Sequence, residues 1–131
     1  MILIDTSAIY ALADRADPQH GRARRQFDKL RGAGVPILTH SYILVESVAL
    51  LQNRLGFQTA RTFVEDARAF EVEWISAATH ETAVELWRQK SRRRLSLVDA
   101  VSFVVMRARG IDVAFAFDPH FAEEGFGTPE E

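Results

Sequence analysis

Four short runs, the apolar Met1–Ile4, Val35–Leu38 and Val113–Phe117 and the mixed Val72–Ile75, punctuate a chain otherwise made of helix-length segments. Each run is too short for a helix and suits a strand. Val113-Ala114-Phe115-Ala116-Phe117 is apolar at every position, the pattern of a strand buried on both faces. Strands separated by helices pair in parallel, with the helices packed on both sides of the sheet. The expected fold is therefore α/β, a three-layer α/β/α sandwich around a mostly parallel sheet of four to five short strands.

The intervening segments carry helix signals. Thr6 to Ala13 follows a capping position at Asp5 or Thr6. A second helix runs from beyond Asp17-Pro18 to about Leu30, with Arg22, Arg24, Arg25 and Lys29 outward and Phe27 and Leu30 inward; Gly32-Ala33-Gly34 ends it. A long helix covers about 40–55, capped by Thr39 or Ser41 and stopped by Gly56. Further helices cover about 58–69 and 79–91. Ser96-Leu97-Val98-Asp99 has the form of a capping box, opening a helix to about Arg109. Glu123, Glu124, Glu130 and Glu131 read as a solvated tail.

The 131 residues suit a single domain, 1–131, able to bury its own core. Cysteine is absent, which excludes a disulfide framework, a zinc–thiolate site and a cysteine nucleophile. No apolar stretch approaches the ~20 residues of a membrane span, and the N-terminus lacks a basic n-region. A cytoplasmic location is expected, with no membrane partner.

The acids stand out by position. Asp5 directly follows the first apolar run and Asp118 the last. In an open parallel sheet, ligands bind outside the carboxyl ends of the strands, where both acids fall. Glu46 and Asp99 lie inside apolar helical segments. An ionised carboxylate buried there costs several kcal/mol unless it finds a cation, a hydrogen-bond network or a raised pKa. Taken singly, Asp5 and Asp99 read equally well as helix caps, Glu46 as an arginine partner and Asp118 as a turn residue. Taken together, they would repel one another without a cation, and hard oxygen ligands suit Mg²⁺ or Mn²⁺. Carboxylate-held metal serves phosphoryl chemistry.

Net charge is −2, yet setting these four aside leaves 14 acids against 16 bases. Only two of the bases are Lys; the rest are Arg, the better fork for phosphate. They cluster at Arg22–Arg25 and Arg88–Arg94, and either cluster fits a solvated helix face or a groove for a polyanion. No glycine-rich phosphate loop is present, and His20, His40, His80 and His120 lack metal-ligand spacing. His120, two residues after Asp118, is a candidate substrate contact.

Met1-Ile2-Leu3-Ile4-Asp5-Thr6-Ser7-Ala8, the Glu46 helix, Leu95-Ser96-Leu97-Val98-Asp99-Ala100 and Phe117-Asp118-Pro119-His120-Phe121 together resemble the PIN-domain ribonucleases, and more closely the VapC-type toxins of toxin–antitoxin pairs. The resemblance spans about residues 1–125. It implies that Asp5, Glu46, Asp99 and Asp118 are the catalytic acidic quartet, binding one or two Mg²⁺ or Mn²⁺ ions. Thr6, Ser7 and Ser102 would form a supporting polar shell. Metal-held water would cleave RNA, leaving a 5′-phosphate and a 3′-hydroxyl. The resemblance also implies a homodimer and inhibition by a small antitoxin, which often carries the operator-binding domain, so direct DNA binding is not expected. Arg92, Arg93, Arg94 and His120 would contact RNA. The chain departs from the family where a small hydroxyl residue often precedes Phe117, since Ala116 stands there. Ile43, Leu51, Leu55, Phe57 and Phe63 suit either a partner groove or the core. Rival readings are a PIN ribonuclease of RNA processing without an antitoxin, a catalytically silent RNA-binding module, and a Rossmann-like phosphatase. The phosphatase normally needs a second Asp two residues after the first, where Ser7 stands.

Overall fold

The computed structural model describes residues 1–130; Glu131 of the expected tail lies outside them. Four strands, β1 (Ile2–Ile4), β2 (Ile37–His40), β3 (Glu71–Glu73) and β4 (Ala114–Phe115), form one sheet. Their order is β3-β2-β1-β4, and every pair is parallel. The chain steps outward from β1 to β3 and then returns to lay β4 on the other side of β1. The order therefore reverses between β1 and β4, and a crevice opens at such a switch point beyond the carboxyl ends. Leu3 pairs with both Leu38 and Ala114, so β1 is the central rail of the register.

The helices are α1 (Thr6–Ala13), α2 (His20–Gly32), α3 (Ser41–Leu55), α4 (Phe57–Asp66), α5 (Ala77–Lys90), α6 (Leu97–Arg109) and α7 (Pro119–Glu123). They pack on both sides of the sheet. β1 and most of α6 are buried together with Leu38, Phe115 and Phe121, forming one apolar core.

Several boundaries differ from the sequence expectation, each for a local reason. β2 starts two residues late: Pro36 has no N–H to give, and only its carbonyl serves the sheet, accepting from Ile2 N at 3.0 Å. β3 ends before Ile75, whose N–H is taken by Ser41 Oγ at 3.0 Å. β4 ends before Phe117, whose N–H goes to Ser7 Oγ at 2.9 Å. α4 stops at Asp66 and tightens into a 3₁₀ turn over Ala67–Ala69. Neither Thr39 nor Ser41 caps α3. His40 does, its Nδ1 accepting from Ile43 N at 3.3 Å. Ser96 and Asp99 form the expected capping box.

The C-terminal segment is only in part a solvated tail: Glu123 and Glu130 are exposed, but Glu124 is not. Phe121 is buried, and Phe126 stacks on Phe103 with centroids 5.7 Å apart. Gly127 bridges Val113 beside β4. Glu124 has a buried side chain, 3% exposed, tied to Lys90 and Arg107 at 2.7 Å each. Of the apolar residues considered for a partner groove, Ile43 and Leu51 are core, Leu55 and Phe63 are half-buried, and Phe57 is exposed.

Candidate active site

The carboxyl edge of β1 and β4 gathers the acids. Asp5 leaves β1 and caps α1, its Oδ2 accepting from Ser7 N at 3.1 Å and from Ser7 Oγ at 2.7 Å. Because Ser7 Oγ also receives Phe117 N–H, one hydroxyl ties the Asp5 carboxylate to the end of β4. Asp118 follows at once and caps α7, Oδ1 accepting from His120 N at 2.9 Å. Asp99 enters from α6, where Oδ2 accepts from Ser96 N at 3.2 Å. The cap roles expected of Asp5 and Asp99 are thus real. They fix each carboxylate's position without neutralising its charge.

Asp5 is 4% exposed and Asp99 is 6% exposed. Burial pushes the Asp5 pKa up against the pull of Ser7, and the charges of Asp118 and Glu46 add to the rise. Burial, then the Asp5 charge, lifts Asp99 to about 6. No cation pairs with either acid among the described residues, so none of those residues offsets this repulsion. Ligand atoms of Asp99, Asp118 and His120 all lie within 4.8 Å of one another. Hard carboxylate oxygens, uncompensated and converging with one imidazole, fit a divalent cation.

Glu46 differs from expectation. It sits in an apolar helical segment, yet its side is the solvent side of α3 and it is exposed. Its charge reaches Asp5, but no metal-sized group of ligand atoms includes Glu46 or Asp5 among the described residues. Thr6 accepts from Ser47 Oγ at 3.2 Å and joins α1 to α3. Ser102 serves a different network from the acids. Its Oγ donates to Val98 O at 3.1 Å and meets His40 Nε2 at 2.8 Å. His40 is fully buried, and burial lowers its pKa to about 4. As Nδ1 accepts from Ile43 N, the remaining proton sits on Nε2 and points at Ser102. Thr39 Oγ1, also buried, has no hydrogen-bond partner.

The arginine run divides. Arg92 is held by Glu123 at 3.6 Å and Glu124 at 3.9 Å. Arg93 lines a separate hollow with Arg88 and Ser96, whereas Arg94 lines the groove that holds Asp118 and His120. That groove also contains Arg54 and Tyr10, which the sequence reading missed. A signal existed: Glu46, Leu50 and Arg54 are spaced four apart, along one face of α3.

This arrangement, an all-parallel sheet reversing at β1 and β4 with carboxylates at the reversal that no Lys or Arg pairs among the described residues, defines the class. The chain belongs to the PIN domain family, which it matches over residues 2–126. Within that family it is 36% identical over 130 residues to the 23S rRNA-specific endonuclease VapC20 of Mycobacterium tuberculosis, covering 96% of this chain and 95% of that protein. The crystal structure of VapC20, described as a sarcin–ricin loop cleaving toxin, matches with a TM-score of 0.84 at 35% identity, covering 96% of each chain. A toxin–antitoxin complex from Klebsiella pneumoniae shares the fold, with a TM-score of 0.64 at 16% identity over 99% of this chain and 97% of that one.

Proposed function

We propose that the chain is a divalent-metal-dependent endoribonuclease, the toxin of a toxin–antitoxin pair, with the sarcin–ricin loop of 23S rRNA as its substrate. The observation that carries the reading is the convergence of Asp99 and Asp118 with His120, beside a buried Asp5 whose charge acts on both acids, with no Lys or Arg paired to any of the three carboxylates among the described residues. The 36% identity to VapC20 over 96% of the chain, and the likeness to its structure, support the substrate. Asp99 and Asp118, with His120, would hold Mg²⁺ or Mn²⁺, and the charges of Asp5 and Glu46 would add to the attraction for the ion. Bound there, the ion supplies an activated water and stabilises charge developing on the phosphate.

The chain's own groups do the positioning. Ser7 locks the Asp5 carboxylate against the end of β4. The capping box holds Asp99 by one oxygen. Their burial keeps competing solvent away and strengthens every charge interaction at the phosphate.

The reading includes a protein antitoxin and a homodimer. Val45, Val64 and Trp74 are large apolar residues left exposed along one groove, a surface that such partners would cover. Ribosomal RNA as substrate implies the cytoplasm. No helix among the described residues is long and apolar enough to cross a membrane.

The test is incubation of antitoxin-free protein with ribosomes and with an isolated sarcin–ricin hairpin, in Mg²⁺, in Mn²⁺ and in chelator, beside Asp99→Asn. Metal-dependent cutting within that loop, lost in the variant, is expected. Cutting that survives chelator or the variant would sink the reading.

A further inference from the structure

The groove beside the acids, about 540 Å³, is lined by Tyr10, Leu50, Arg54, Arg94, Asp118 and His120 among others. It brings two arginines from distant parts of the chain to the rim of the carboxylate cluster. Arg54 stands in the last turn of α3, and Arg94 in the loop between α5 and α6. An RNA strand approaching Asp5 and Asp99, which pair with no cation among the described residues, and Asp118, which faces only His120, meets repulsion, and its phosphates need compensating cations near the point of cleavage.

Arg54 is held ready. Its guanidinium lies over the Tyr10 ring, 5.5 Å from the centroid. Tyr10 is itself fixed, because its hydroxyl donates to Asp14 Oδ2 at 2.8 Å. A planar fork resting on a fixed ring loses little further freedom when it grips a phosphate. Arg94 is exposed and makes no ion pair among the described residues. Its neighbour Arg92 is already engaged by Glu123 and Glu124.

We propose that Arg54 and Arg94 form a two-point phosphate clamp that holds the RNA strand across the acidic cluster, and that Arg92 takes no part in it. The assignment rests on the endoribonuclease reading. It makes Tyr10 a positioning residue, acting through Arg54.

The experiment measures binding of a fluorescein-labelled sarcin–ricin hairpin to full-length Asp99→Asn protein in chelator, across a potassium chloride series. Arg54→Gln and Arg94→Gln in that background should each weaken low-salt binding about three- to tenfold. Each should also flatten the plot of log K against log salt by about 0.7–0.9, the loss of one phosphate contact. Arg54→Lys should restore the slope but only part of the affinity, since charge returns without the fork. Arg61→Gln on α4 and Arg92→Gln should leave the slope unchanged. Slopes equal to the parent's in both groove variants would overturn the clamp while the parent still binds RNA. If the parent binds no RNA even at low salt, in chelator or with Mg²⁺ or Mn²⁺ added, the endoribonuclease reading falls and the clamp with it.

Discussion

Two buried carboxylate sites in this molecule solve the same problem in opposite ways. Glu124 is buried between α5, α6 and α7, and burial alone would push its pKa up; Lys90 and Arg107 outweigh that and hold it low. Asp99 is buried beside Asp5 and meets no cation among the described residues, so its pKa rises to about 6. Where a carboxylate's task is to join helices, the chain supplies the counter-charge. At the edge of β1 and β4 it withholds one, leaving a site whose natural complement is a metal ion. The difference separates structure from chemistry without reference to any relative.

The largest expected effect is at the unpaired site. Asp99→Asn should lower RNA cleavage by about a hundredfold or more, by analogy with loss of metal-site groups. In chelator the same variant should melt at or above the parent's temperature, because it removes a charge that repels Asp5. A drop in apo stability matching the loss of activity would erase the contrast. Glu124→Gln should do the reverse. It should lower stability by about 1–3 kcal/mol, less than a fully buried pair because Lys90 and Arg107 are partly exposed, and leave the metal response intact. Chemical denaturation with and without Mn²⁺ reads both quantities.

Metal should stabilise the parent by about 2.7 kcal/mol at a hundred times its dissociation constant. Melting curves should show that gain in the parent and its loss in Asp99→Asn. A shift of equal size in both proteins would place the ion elsewhere.

Acid sharpens the comparison further. The pKa of His40 is lowered from 6.5 to about 4, so its contribution is present above about pH 6.5 and withdrawn as pH falls toward 4. That is up to about 3 kcal/mol. The raised Asp99 has the opposite sign: stability is present below its unfolded pKa near 3.8 and lost as pH rises through about 6. In chelator the two offset each other between pH 4 and 6.5. Denaturation of Asp99→Asn across that range should therefore show a steeper acid loss than the parent. Parallel curves would mean Asp99 is not held in its neutral form by the fold.

The smallest effect is expected at Arg24→Ala. Its pair with Asp28 is 3.3 Å long but exposed on both sides, worth about 0.5 kcal/mol or less in a melting experiment.

Much of the site was legible because it depends on local rules. An acid directly after an apolar run lands at the carboxyl edge of a parallel strand, which located Asp5 and Asp118. Ser96-Leu97-Val98-Asp99 announced its own capping box. Less was legible where partners came from far along the chain. Glu46 looked buried among apolar neighbours, but α3 presents that position to solvent. Glu124 looked like part of a solvated tail, until Phe121 and Phe126 drew α7 onto the core and brought it to Lys90 and Arg107. His40 looked unremarkable, yet it is buried and links α3 to Ser102 on α6. Ser102 bonds His40 and Val98 O.

By itself, the amino-acid order determined the strand and helix alternation, the parallel sheet and the positions of the strand-end acids. Backbone periodicity and capping act over a few residues and need no distant information. Only the tertiary structure decided which charges are answered. It engaged Arg92 with Glu123 and Glu124, left Arg94 beside Asp118, and carried Arg54 into the same groove. Counter-charges act through space over a few ångströms, and which side chains come that close is set by packing, not by their separation along the chain.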